Sequence, residues 1–454
     1  MKFYKFSALL QNNGWMSPAF VGVDQTGSIR YLSEQPPSAE EIALEVVNGY
    51  ALPGFQNAHS HAFQFAMTGL AETHSPGAID DFWSWRQTMY KCALTMTPEH
   101  QEAVAAMLYT EMLRRGYTHV AEFHYLHHDP DGKPYASLSE TGERLLVAAE
   151  QAGIKITLIP IFYQLGNFGK EPQPRQRRFI SKTVDDYFQL LDDTAHAISA
   201  YPNAELGFGV HSLRAVDSND IKRTFDQGPT NIPFHLHAAE QLKEVEDCQA
   251  FLNRRPVEWI LENMALNDRF HLVHCTHMNA SEISGLAASR ANVVLCPGTE
   301  GNLGDGIFSL TDFAKHGGSW SIGTDSHISL SPLEDLRWLD YAQRLTTHRR
   351  NTFDDGANVL VSKTLRSGRR AMSCTNREHF FGIDDAFDAV VFNGESSLLA
   401  KQREFLLPSI VYTADSSAIL GTIVNGNWIV KNQFHPHEKN IAAKFRNAMK
   451  TLTP

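Results

Sequence analysis

The sequence predicts an α/β fold: a (β/α)8 barrel of the TIM type, with a small β-sandwich domain built from the N- and C-terminal segments. Three observations point there. Between residues 50 and 325, eight short β-branched or aliphatic runs alternate with segments of helical periodicity, the pattern of βα units around a parallel sheet. Both flanks carry short alternating strands between Gly, Asn and Asp turns instead. Histidines gather at the ends of the runs, where a barrel of this kind collects its functional groups.

Taken in order, the N-terminal flank, residues 1–36, offers FSALL, AFVGVD and SIRYLS as strands. The eight runs follow: GYALPGFQNAHSH (49–61), YTHVAEFHY (117–125), IKITLIPIFY (154–163), ELGFGVHS (205–212), NIPFHLHAAE (231–240), RFHLVHCTH (269–277), ANVVLCPG (291–298) and SWSIGTDSH (319–327). Thr97-Pro98-Glu99 reads as an N-cap, a first-turn proline and an early acid opening a helix over 98–115, with Gly116 behind it. Asn279 and Glu282 form a capping-box pair for a later helix. GKEPQPRQRR (169–178) reads as a solvated basic loop. The closing strands FDAVVFN, SIVYTA and GTIVNGNWIV return the chain to its beginning. These boundaries assign 49–375 to the barrel and 1–48 with 376–454 to the β domain.

A chain of 454 residues accommodates one large domain plus such an appendage. Its formal charge of −11 has the wrong sign for tracking a phosphate backbone, so no nucleic-acid partner is expected. The five cysteines, Cys92, Cys248, Cys275, Cys296 and Cys374, are odd in number and lack any CxxC pair, which argues against a disulfide framework or a thiolate metal site. Cys275 and Cys296 read as buried strand residues. No apolar stretch approaches bilayer length, and the opening MKFYKFSALLQNNGW breaks before a signal-peptide core forms, so neither membrane nor export is expected.

The chemistry begins at His59 and His61. Two apart at a strand end, they point to one face. Alone, this spacing more often marks two half-exposed histidines than a metal pair. His237 at the end of the fifth run and Asp325 at the end of the eighth change that reading. Three imidazoles and one carboxylate form an N/O donor set suited to one divalent ion, by preference Zn2+, with iron or manganese admissible.

PGFQNAHSH, HLHAAE, LVHCTH and GTDSH, in this order and spacing, resemble the metal-dependent amidohydrolase superfamily nearly end to end, including the segment FGIDDAFDAVVFNG that closes its split β domain. Two-metal members use a carboxylated lysine at the end of the fourth strand. Here that region reads GFGVHSLRA, so the resemblance implies a single metal. HAAE resembles the deaminase branch and makes Glu240 the proton donor to the leaving nitrogen. Asp325 can then accept the proton of the attacking water, and His274 can orient that water or take the proton instead.

GVHSLRAV (209–216), CPGTEGNLGDGIF (296–308) and GTDSHISLSPLEDLRWLDY (323–341) narrow the resemblance. They imply hydrolytic deimination of a small dicarboxylate amidine, N-formimino-L-glutamate, to N-formyl-L-glutamate and ammonia by a cytoplasmic homodimer. Gly298 and Gly301 depart from the usual threonine and alanine, which puts the stiffness of that loop in question. Two carboxylates require fixed cations, and Arg214 just past the fourth strand is the first candidate. Gln64, Arg86, Tyr125 and His211 lie at the same mouth, with Trp83 and Trp85 around Arg86 serving either core or lid. His124, His127, His128, His271 and His277 are assigned to loops or to the surroundings of the site. Two other readings stand beside this one: zinc-dependent deamination of an aromatic base such as guanine or a triazine, and a noncatalytic scaffold of the same fold.

Overall fold

The computed structural model describes residues 1–38, 43–72, 80–373 and 379–452; Cys374 and the predicted boundary at 375/376 lie outside them. Eight parallel strands form the barrel: β1 (Phe55–Ser60), β2 (Tyr117–His124), β3 (Lys155–Phe162), β4 (Phe208–Ser212), β5 (Phe234–Ala238), β6 (Phe270–His274), β7 (Asn292–Leu295) and β8 (Ser319–Ile322). Each pairs with its neighbour in chain order, and helices fill most connections. Every residue of β1, β2, β4, β5, β6 and β7 is buried, as expected of parallel strands covered on both faces.

Closure is economical. Among the described residues β1 and β8 share a single bridge, Ser60 to Asp325, supported by Asp325 N–H donating to the His59 carbonyl at 3.0 Å. The barrel is thus laced by ladders everywhere except at the joint between its first and last strands.

The first predicted run divides at Gly54. Leu44–Pro53 joins the terminal sheet, and the barrel begins only at Phe55. Glycine is needed there because a Cβ would meet the Thr118 side chain at 2.2 Å. The fourth run also breaks, at Gly207, into Ala204–Leu206 and β4.

The chain ends meet in one continuous, mixed eight-stranded sheet. Its centre is Leu44–Pro53, parallel to Lys2–Gln11 and antiparallel to Ala389–Asn393, so both termini are woven through the same strand. The interval 376–454 does not stay wholly with this sheet. Its last helix, Glu438–Leu452, packs on the barrel: Phe445 stacks on Phe65 at 5.7 Å, and Lys444 and Glu438 pair with Glu102 and Arg114. A one-sided apolar stripe of Ile441, Phe445, Ala448 and Leu452 explains the docking.

Of the helices that frame the site, α1 (Phe82–Thr95) is capped by Asp81 and α2 (Pro98–Arg114) by Thr97, whose reciprocal partner is His100. Asn279 and Glu282 form the predicted capping box. Residues 297–303, which span the end of the seventh predicted run and the loop after it, form the short helix α3 (Pro297–Leu303) with proline at its first position. The loop 169–178 is less solvated than its composition suggests. Arg178 is fully buried and donates to the carbonyls of Ala93, Met96 and His128, satisfying orphan groups around the C-terminal end of α1. No helix among the described residues is long and apolar enough to cross a membrane.

Candidate active site

The chain leaves β5, β6 and β8 through left-handed conformations, with positive φ at Ala239, His274, Cys275 and Asp325. Non-glycine residues take this region reluctantly, so four such residues at or just beyond the ends of three strands mark a place where side-chain aim outweighs local strain. Cys275 and Cys296 are buried as expected, but each sits one residue beyond its strand.

His59, His61 and His237 converge. Nδ1 of His61 donates to the Phe123 carbonyl and Nδ1 of His237 to the His211 carbonyl, both at 2.9 Å. Their Nε2 atoms therefore present lone pairs, and each lies 3.1 Å from Nε2 of His59. Asp325 Oδ1 is 3.6 Å from His59 Nε2 and 3.3 Å from His61 Nε2. Tetrahedral ligands about 2.0–2.1 Å from one ion stand about 3.3 Å from each other; the separations of His59 from His61 and His237, and of Asp325 from His59 and His61, are of that order, and the three imidazole nitrogens all lie within 4.8 Å of one another. Burial pushes all three imidazoles below the usual histidine range, with neighbouring histidines adding to the effect at His59 and His237, so they are held neutral as metal ligation requires. The residues fit a divalent ion.

Beside this set lies a second cluster. His274 Nε2 stands 3.7 Å from Asp325 Oδ2 and 3.6 Å from Glu240 Oε1, between the two carboxylates. Its Nδ1 is 3.2 Å from Glu300 Oε1. Burial opposes its charged form, yet Glu240, Glu300 and Asp325 outweigh burial and lift its pKa to about 10. Burial raises Glu240 to about 7, with His274 pulling down and Asp325 pushing up. The arrangement can carry a proton from one side of the cleft to the other.

A cleft of about 420 Å3, partly open to solvent, unites His61, His237, Glu240, His274 and Asp325 with Gln64, Arg86, Tyr125, His211 and Arg214. Gln64 donates to the Tyr125 hydroxyl at 2.9 Å and leaves its Oε1 without a partner among the described residues. Arg86 donates to the Tyr163 hydroxyl at 3.0 Å, and Nη1 of the buried Arg214 has no partner among the described residues. Trp85 lines the cleft whereas Trp83 does not. His124, His127 and His128 stay outside it, bonded to Thr141, Ile161 and Ile180, and neither His271 nor His277 reaches the lining.

Three acids escaped the sequence reading. Glu300 on α3 holds His274, and Asp305 just beyond accepts from Gln241 next to Glu240. Glu122 on β2, raised to about 7 by burial despite its donors, accepts from Ser60 Oγ and Ala62 N–H at 2.6 Å each and so pins the turn that carries His61. Only the glutamate of YTHVAEFHY, an acid inside an otherwise buried run, carried a visible signal.

The sequence profile of the Amidohydrolase family matches residues 50–429. The chain belongs to the amidohydrolase family. Members are metal-dependent, in keeping with the donor set described above. The chain is 41% identical over 419 residues to formimidoylglutamate deiminase from Pseudomonas aeruginosa, covering 91% of this chain and 92% of that protein. It is 26% identical over 322 residues to the 8-oxoguanine deaminase of the same organism, covering 69% of this chain and 68% of that protein. Among solved structures, an amidohydrolase from Brucella melitensis superposes with a TM-score of 0.92 at 36% identity, covering the whole of both chains. This amidohydrolase is therefore a hydrolase acting on carbon–nitrogen bonds.

Proposed function

We propose that this amidohydrolase removes ammonia hydrolytically from N-formimino-L-glutamate, giving N-formyl-L-glutamate. The observation that carries the reading is the pairing of a histidine–aspartate centre that bears Glu240 with two arginines, Arg86 and Arg214, that line its cleft without a carboxylate partner among the described residues. A substrate with two carboxylates completes them. A flat base would leave both guanidinium groups unpaired in a confined space, which is costly. Likeness to a relative named for this activity supports the same substrate.

His59, His61, His237 and Asp325 would hold the metal, which we take to be zinc. When bound, such an ion supplies Lewis acidity that brings the pKa of a water toward about 7. The chain supplies the rest. Arg86 and Arg214 clamp the carboxylates, and Gln64, Tyr125 and His211 orient the amidine carbon against Asp325. Asp325 receives the proton of the attacking water, while His274, which the surrounding carboxylates keep protonated, donates a hydrogen bond that orients that water. Glu240, on the other side of His274, delivers a proton to the departing nitrogen, so that ammonia rather than an amide anion leaves. The carbonyl of the formyl group stays with the glutamate. A homodimer working in the cytoplasm accompanies this reading.

The test is incubation of metal-loaded protein with N-formimino-L-glutamate, assaying ammonia and free glutamate together, with guanine in parallel. Ammonia with no glutamate is the expected result. Glutamate release moves the cleaved bond, guanine turnover alone favours the base deaminase, and a metal-free inert protein favours the scaffold.

A further inference from the structure

A second chamber, of about 610 Å3 and partly open to solvent, lies behind the wall of the cleft, between α1 and the loop 166–175. Arg86 is common to both walls. Two more cations line the chamber, the exposed Lys170 and the half-buried Arg175, against one acid, Glu171. The guanidinium groups of Arg175 and Arg86 both lie over the Tyr90 ring, 5.1 and 5.2 Å from its centroid. Arg175 donates from Nε to Gln173 at 2.6 Å, and among the described residues neither it nor Lys170 nor Arg86 forms an ion pair. Arg178 of the same loop is anchored on buried carbonyls, so the loop divides into a structural end and an uncommitted basic end.

A dicarboxylate amidine, still negative overall, is repelled at long range by a protein of charge −11. Within a screening length of about 8–10 Å, local charge decides instead. The exposed Lys170, the half-buried Arg175 and Arg86 and the buried Arg214 of the cleft form a basic series through an acidic molecule, offset by Glu171 in the chamber lining and by Asp247 near Lys170. We propose that this chamber is the approach route for the substrate: Lys170 and Arg175 gather a dicarboxylate from solvent and pass it to Arg86. The inference rests on the dicarboxylate substrate proposed above.

The test is steady-state kinetics on N-formimino-L-glutamate with the metal-loaded protein and its Lys170→Gln, Arg175→Gln, doubly substituted and Glu171→Gln variants, at low salt and at high salt. At low salt the double variant should show a KM raised about five- to tenfold, with kcat within about twofold of the parent. High salt should close most of the gap, and Glu171→Gln should lower KM at low salt. A double variant with the parental KM at low salt overturns the route, as does a loss that high salt leaves intact. If the unaltered protein releases no ammonia from this substrate, the proposed function falls and the route with it. Parental turnover with no effect of the variants rejects the route alone.

Discussion

Glu240 and Asp325 both approach Nε2 of His274, and the three groups do different work because their surroundings differ. Glu240→Gln keeps the size and the hydrogen bonding but cannot give up a proton of comparable acidity. We predict a fall in kcat of about 10²–10⁴-fold, with bound metal, measured by elemental analysis, unchanged; parental kcat would remove Glu240 from the reaction. Arg214→Met should act at the other end of the substrate, raising KM at least about tenfold with metal retained, since a charge-assisted contact is worth about 1.5–3 kcal/mol. The convergence of the proposed metal ligands was legible because each stands at or just beyond the end of a run whose period fixes its face. Glu300 and Asp305 were not, because they become neighbours of His274 and Gln241 only once α3 folds back over β6, and no local spacing encodes that approach.

Elements show the same division. α2 and the helix Ala280–Ala288 announce themselves by caps, which are local chemistry, and both form where their caps place them. The split at Gly54 and the burial of Arg178 depend on what lies opposite in space, Thr118 in one case and the end of α1 in the other. Arg178→Met should therefore destabilise the protein by about 2–3 kcal/mol through the carbonyls left unpaired, measured by urea unfolding; a neutral result would mean that water replaces the guanidinium. Gly301→Ala should act in the opposite sense. Gly301 is exposed within α3, has ordinary φ and has no described atom within 4 Å of the point where an added Cβ would stand, so alanine should add about 0.5–1 kcal/mol. A loss of stability there would mean that α3 needs its glycine for motion.

At the scale of the molecule, barrel and terminal sheet are joined at Asp388, which accepts from Lys155 at 2.5 Å and from Asn425 N–H at 2.8 Å, while its carbonyl accepts from Gly54. Burial raises its pKa, but Lys155 and Asn425 outweigh burial and hold it below the ordinary carboxylate value. A lowered folded-state pKa contributes stability that is complete above the unfolded value, about 4, and is lost as pH falls through the folded one. Asp388→Asn should thus lower the unfolding free energy by about 1–3 kcal/mol at neutral pH, the gap to the parent narrowing only below about pH 4; a gap that varies between pH 5 and 8 would assign it to another group. The weaving of both ends through Leu44–Pro53 was legible in outline, since alternating strands at each terminus need a partner, but the return of the final helix to α2 was not. The sparsely bonded joint between β1 and β8 has a further consequence, because His59 and His61 stand on one lip and Asp325 on the other. A cation gripped by both acts as a clasp on a hoop: stripping it with a chelator should lower the melting temperature as well as abolish turnover, and amide exchange should quicken first along this seam rather than in the terminal sheet.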